Sequence, residues 1–347
     1  MESSESWWRP ESHAARRPRL LQRQAVLAAI RRFFAERGFV EAETPCLQFS
    51  PGLEPHLMAF STVLVQPQGS RSRLYLHTSP EFTLKKLLVA GEPRLFHLAR
   101  VFRNGERSAT HHPEFTMLEW YRAGAAYTDI MEDCEALFRA AAEAAGVRSL
   151  SFGGRSADPF APWQRISVAE AFARFAGIEL AGLLGPEPAP LAAAARAAGI
   201  RVAADDRWSD IFTRVMLEKV EPRIGLGAPT ILYDYPASEA ALSRPKPEDP
   251  RFAERFEIYA CGVELANAFG ELTDPVEQRR RFEADMALKE RLYGVRYPID
   301  EDFLAALAHG MPQAAGIALG VDRLVMLLTG AARIEEVLWA PVALQGS

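Results

Sequence analysis

The sequence predicts an α+β fold, a mixed and mostly antiparallel sheet with helices around it. Short strand-like runs and helices do not alternate strictly, as they would in a doubly wound parallel sheet. No Gly-rich turn joins a strand to a helix in the dinucleotide-binding or phosphate-loop manner. Apolar runs such as Phe256 to Tyr259 and Val263 to Ala266 flank a short connection and read as a hairpin.

The elements follow in order. Residues 1–18 mix Ser, Glu, Arg and Pro with two Trp and show no periodicity, so a flexible tail is expected there. From Leu20 to Arg37 apolar residues recur at helical spacing, and Gly38 supplies a C-terminal stop. Strand-like runs come next at Leu74 to His77, Leu95 to Phe102, Phe115 to Arg122 and Thr230 to Tyr235. Helices are expected from Thr128 to Gly146, from Ser167 to Gly177 with a Ser167/Glu170 capping box, and from Asp274-Pro275 to about Gly294. Asp300 to Gly310 repeats the cap-and-glycine pattern. The Ala-rich stretch inside 178–222 reads as a helical insertion into one catalytic domain spanning 19–347.

With 347 residues, 48% of them hydrophobic, the chain can bury a large core. A net charge of −5 argues against a global field for polyanions. The apolar runs are too short for a membrane span and the start lacks an apolar signal core, so a cytoplasmic protein is expected. Three distant cysteines, Cys46, Cys134 and Cys261, favour reduced thiols over a disulfide or a zinc site.

Four segments can carry chemistry. Phe102 to Phe115 sits between two strand-like runs as a long loop with Arg103 at a strand end, where a guanidinium can grip a phosphate; a solvated arginine is the bland alternative. If the hairpin turn centres on Ala260-Cys261, Glu257 and Glu264 lie opposite each other, a pairing that a cation such as Mg²⁺ would relieve; a one-residue shift removes it. Gly316 to Arg323 is a small-residue strand entering a helix, with a basic side chain in the first turn that asks for an anion. Thr78-Ser79-Pro80-Glu81 opens a helix, with Glu81 serving either the helix dipole or a substrate amine.

Together these segments resemble the class II aminoacyl-tRNA synthetases of the lysine branch. Gly38 to Pro45 looks like motif 1, Phe102-Arg103-Asn104 with His111 to Glu119 like motif 2, and Gly320 to Arg323 like motif 3. Only about 37 residues precede motif 1, which leaves no room for the oligonucleotide-binding domain of lysyl-tRNA synthetases, so no anticodon-binding domain is expected. The stand-alone relatives that fit are the elongation factor P (R)-β-lysine ligase family.

That resemblance implies ATP and Mg²⁺ as cofactors, β-lysine or lysine as substrate, elongation factor P as acceptor and a homodimer through motif 1. It places Ser79, Pro80, Glu81, Tyr121, Phe269, Glu271 and Ala318 at the amino acid. Arg103, Asn104, Gly105, Glu106, His112, Glu264, Leu265, Gly320 and Arg323 fall to ATP, Glu257 and Glu264 to the metal, with Arg103 and Arg323 catalytic. Two positions depart from the family pattern: Gly105 stands where motif 2 carries an acid, followed by Glu106, and His112 replaces an Asn. Other readings are a non-catalytic paralogue that binds amino acid or nucleotide, and a lysyl-tRNA synthetase.

Overall fold

The computed structural model describes residues 7–240 and 242–343. The chain opens with α1 (Pro10–Ala35), β1 (Val40–Glu41), β2 (Leu47–Gln48), β3 (Ser61–Val65), β4 (Arg71–Leu76) and α2 (Glu81–Val89). β5 (Arg94–Phe102), β6 (Glu114–Ala123), α3 (Tyr127–Ala145), β7 (Leu150–Phe152), β8 (Arg155–Ala157), β9 (Gln164–Ser167) and α4 (Val168–Ala176) follow. Then come α5 (Ala189–Ala197), α6 (Trp208–Val215), β10 (Thr230–Pro236), β11 (Phe252–Ala260) and β12 (Val263–Gly270). The chain closes with α7 (Pro275–Tyr293), α8 (Glu301–Gly310), β13 (Ala314–Gly320) and α9 (Val321–Leu328).

Eight strands form the main sheet in the order β1-β5-β6-β13-β12-β11-β10-β9. Only the two edge pairs are parallel, so the sheet is mostly antiparallel. Side-chain alternation divides its centre into two faces. Leu118 and Trp120 of β6 and Ile317 and Leu319 of β13 point to a core shared with α1, α3 and α9. Met117, Glu119 and Tyr121 share the opposite face with Gly316, Ala318 and Gly320, because Tyr121 pairs with Gly316 and Glu119 with Ala318. A second core under α2, α7 and α8 flanks that face, and residues 178–223 pack their helices with α4 around a third.

Two expectations change. The first helix begins at Pro10, so 10–18 is helical; the earlier residues 1–6 lie outside the described residues. Its first turns carry no apolar stripe, yet Pro at the first position pre-sets the backbone angle and the later turns hold the helix in place. Arg23 of that helix is buried and paired with Asp322 of α9, while Asp322 also accepts from the Thr116 amide at 2.8 Å. The β11–β12 turn is Cys261-Gly262, both at positive φ, one residue later than expected. With a bulge beside it, Glu264 pairs with Tyr259 and Glu257 with Asn267, so the two acids are not opposite.

Candidate active site

The strands' small-residue face forms the floor of a cavity of about 260 Å³. Gly316 is required there: a methyl group at its Cα would collide with the Tyr121 ring and the Glu271 carboxylate. Ser79, Glu81, Tyr121, Phe269, Glu271 and Ala318 line the cavity on one side, and Arg103, Glu106, Glu264, Leu265, Gly320 and Arg323 on the other.

The first side is an acidic pocket built around a lysine. Glu81 opens α2, and Lys85, one turn later and fully buried, is ion-paired both to Glu81 and to Glu271 at 2.6 Å. Glu119, unremarked in the sequence, is also fully buried and accepts from Ser79 Oγ at 2.5 Å and the Tyr121 hydroxyl at 2.9 Å. Two carboxyls thus pair with one ammonium and a third is buried beside Ser79 and Tyr121, an excess of acid suited to cationic ligand groups. Burial, with the charge of Glu81 behind it, raises Glu119 to about 8. Burial likewise lifts Glu271 to about 7 against the pull of Lys85.

The second side is cationic. Arg103 lies at the end of β5 over the Phe115 ring, 5.2 Å from its centroid, and its Nε is buried without a partner. Arg323, in the first turn of α9, donates to Thr110 O at 3.2 Å, to Glu264 O at 3.0 Å and to His111 Nε2 at 2.6 Å. Since an arginine only donates, His111 accepts at Nε2. Burial, then Arg323 and Arg103, depress His111 to about 4, so it is neutral at ordinary pH. Two guanidiniums within one cavity form a natural seat for a polyphosphate.

Not every expected residue offers a free group to this space. His112 is buried with both nitrogens taken, Nδ1 by Glu114 O at 2.6 Å and Nε2 by the Val342 amide at 3.1 Å. It lines the cavity together with its neighbour His111, which meets Arg323. Asn104, Gly105 and Pro80 are not among the lining residues. Gly105 takes a positive φ in an exposed turn, and Glu106 stands 3.9 Å from Arg103 within the cavity.

For a metal, among the described residues no cluster of three or more His, Cys, Asp or Glu side chains could hold an ion unaided. Glu264 fits a Mg²⁺ that takes its remaining ligands from phosphate and water, because its side chain is exposed on the cavity wall. Glu257 lies behind the wall and already accepts from the Tyr235 and Tyr259 hydroxyls at 2.5 and 2.7 Å and from Arg255 at 2.6 Å. It is a buried brace for β11, open to an ion only through its remaining lone pairs.

Residues 9–343 match the family model for tRNA synthetases class II (D, K and N). The elongation factor P–(R)-β-lysine ligase of Salmonella gallinarum is 40% identical over 343 residues, covering 97% of this chain and 98% of that protein. The chain therefore belongs to the class II tRNA synthetase family of the D, K and N type.

Proposed function

We propose that this protein is an ATP-dependent ligase that activates (R)-β-lysine, or lysine, as its adenylate and transfers it to a lysine side chain of elongation factor P. The observation that carries the reading is one cavity lined by Arg103 and Arg323 and by Glu81 and Glu271, with Glu119 buried behind Ser79 and Tyr121. It is supported by a near full-length relative with that name.

In the first step the substrate carboxylate oxygen bonds to the α-phosphorus, the bond to the β-phosphate bridge breaks, and pyrophosphate leaves with its electron pair. A carboxylate is already ionised at neutral pH, so alignment and charge neutralisation matter more than a general base. Arg103 neutralises the α-phosphate and Arg323 the far end of the triphosphate. Bound through Glu264, Mg²⁺ would neutralise phosphate charge. In the second step the acceptor amine bonds to the acyl carbon and AMP departs. Glu81 and Glu271 orient the diamino acid through an ammonium group, Glu119 adds its charge from behind Ser79 and Tyr121, and Phe269 walls the aliphatic stem.

Glu106 lines the cavity 3.9 Å from Arg103, which supports reading it as a substitute for the motif 2 acid absent at Gly105, and the protein as catalytic rather than a non-catalytic binder. We further infer a homodimer through the motif 1 region, where Val40, Leu47 and Phe49 are exposed at 52%, 44% and 59%. No helix among the described residues is long and apolar enough to cross a membrane, in keeping with a cytoplasmic enzyme.

Pyrophosphate exchange into ATP tests the activation step. β-Lysine or lysine is expected to drive exchange, and monoamino acids of the same length are not. Absence of exchange with every lysine isomer overturns the reading in favour of a non-catalytic binder.

A further inference from the structure

The loop between β2 and β3 brings one more acid to the cavity, and neither the sequence motifs nor the family resemblance give it a role. Glu54 and Leu57 of that loop line the cavity beside Glu81. The loop is fastened at both ends. Pro51 O accepts from the Thr78 amide at 2.9 Å and its hydroxyl at 2.8 Å, which ties the loop to the segment that carries Ser79 and Glu81. Lys289 of α7, fully buried, donates to Glu54 O at 2.9 Å and also to Leu57 O, and lies 4.6 Å from the centroid of the Tyr297 ring. Leu53, 2% exposed, plugs the loop into the core under α2 and α7.

Within this frame the Glu54 side chain is poorly satisfied. Its Oε2 is buried with no hydrogen-bond partner. Gly52 makes room for it, because a methyl group at that glycine would sit 2.9 Å from Oε2 and run into Thr78 Oγ1. The loop's cation, Lys289, points at the two carbonyls rather than at the carboxylate. Glu54 is near enough to Glu81 for its charge to add to the upward pull on that carboxyl, after the larger effect of burial. A buried carboxylate oxygen without a donor is costly, and a rigid loop cannot carry it back to water. Lys289 is near enough for its charge to act on Glu54 but directs its donors to the carbonyls, so Oε2 is left without a hydrogen-bond donor.

We propose that Glu54 is a specificity-determining residue whose carboxylate accepts a hydrogen bond from one of the two ammonium groups of the amino-acid substrate. The inference rests on the proposed function and deepens it. Glu81 and Glu271, with Glu119 behind them, then serve one ammonium with Lys85 as their internal counter-ion, and Glu54 serves the other from the β2–β3 loop.

The test uses the full chain and pyrophosphate exchange with whichever lysine isomer the wild type activates, and with two analogues that each lack one of its amines. Glu54→Gln is expected to raise KM for the diamino acid roughly 10- to 100-fold, the size of a lost charge-assisted hydrogen bond, and to leave KM for ATP within about twofold. Glu54→Asp, which keeps the charge and retracts it, should fall between. The penalty of Glu54→Gln should vanish for one analogue, the one without the ammonium that Glu54 holds, and persist for the other. A loop that is merely structural would penalise all three ligands alike. An exchanging wild type with an unchanged amino-acid KM in Glu54→Gln, or an equal penalty for all ligands, overturns the inference alone. A wild type that exchanges with no lysine isomer overturns the proposed function and this inference together.

Discussion

The acidic pocket predicts that diamino-acid binding strengthens with pH. Glu119 sits at about 8 and Glu271 at about 7 because burial disfavours their ionised forms. An incoming ammonium favours ionisation, so binding draws protons out of the pocket. The sign follows: below about pH 8 the ligand must displace a proton from Glu119, and affinity rises as pH approaches that value. At pH 6 about one in a hundred Glu119 carboxyls is ionised, against about half at pH 8, so this residue can raise the affinity by at most roughly 50-fold at pH 8. Glu271 contributes up to about tenfold over the same range. Titration calorimetry with the diamino acid alone, in two buffers of different ionisation enthalpy, measures both affinity and proton release. Glu119→Gln can still bond Ser79 and Tyr121, accepting from one hydroxyl and donating to the other, but cannot titrate, so its pH dependence should shrink to the part owed to Glu271. A wild-type affinity that is level from pH 6 to 8, or a slope the same in Glu119→Gln, refutes the reasoning.

Three further outcomes follow from the geometry. Arg103→Ala or Arg323→Ala should lower the exchange rate by about 10²- to 10³-fold, the usual loss for one preorganised charge at a transition state, as single-turnover kinetics will show. Gly316→Ala pushes into Tyr121 and Glu271, so the KM for the amino acid should rise at least tenfold in steady-state assays while that for ATP holds. Arg23→Met leaves Asp322 buried without its cation, and urea unfolding should report a loss of about 3 to 5 kcal/mol.

Much of this was legible in the sequence because it is local. The runs that became β5, β6 and β10 carry strong apolar patterns, and the capping box at Ser167 and the Asp274-Pro275 start mark helices through their own chemistry. Arg103, Glu81, Glu271 and Arg323 meet in one cavity, and the resemblance to a synthetase core named all four. What escaped was decided by tertiary packing or by strand parity. Lys85 looks like a surface partner for Glu81 one helical turn away, and only the packing of α2 against the sheet buries it. Glu119 lies inside an apolar strand, and its place on the same face as Met117 and Tyr121 was the available signal for an inward-facing carboxyl. The register of Glu257 turned on one residue of a hairpin, which Cys261 settled by adopting a positive φ unusual for its type. His111 joins His112 on the cavity wall and is the one that meets Arg323. The first turns of α1 have no apolar stripe because they run along the surface, where Arg16 reaches Leu338 O.

Acceptor modification is the most direct test of the central claim. Elongation factor P incubated with this protein, ATP and (R)-β-lysine, and examined as an intact mass, should gain one lysyl residue, and should gain none when ATP is omitted. An acceptor whose mass never changes, while tRNA becomes charged under the same conditions, contradicts the account.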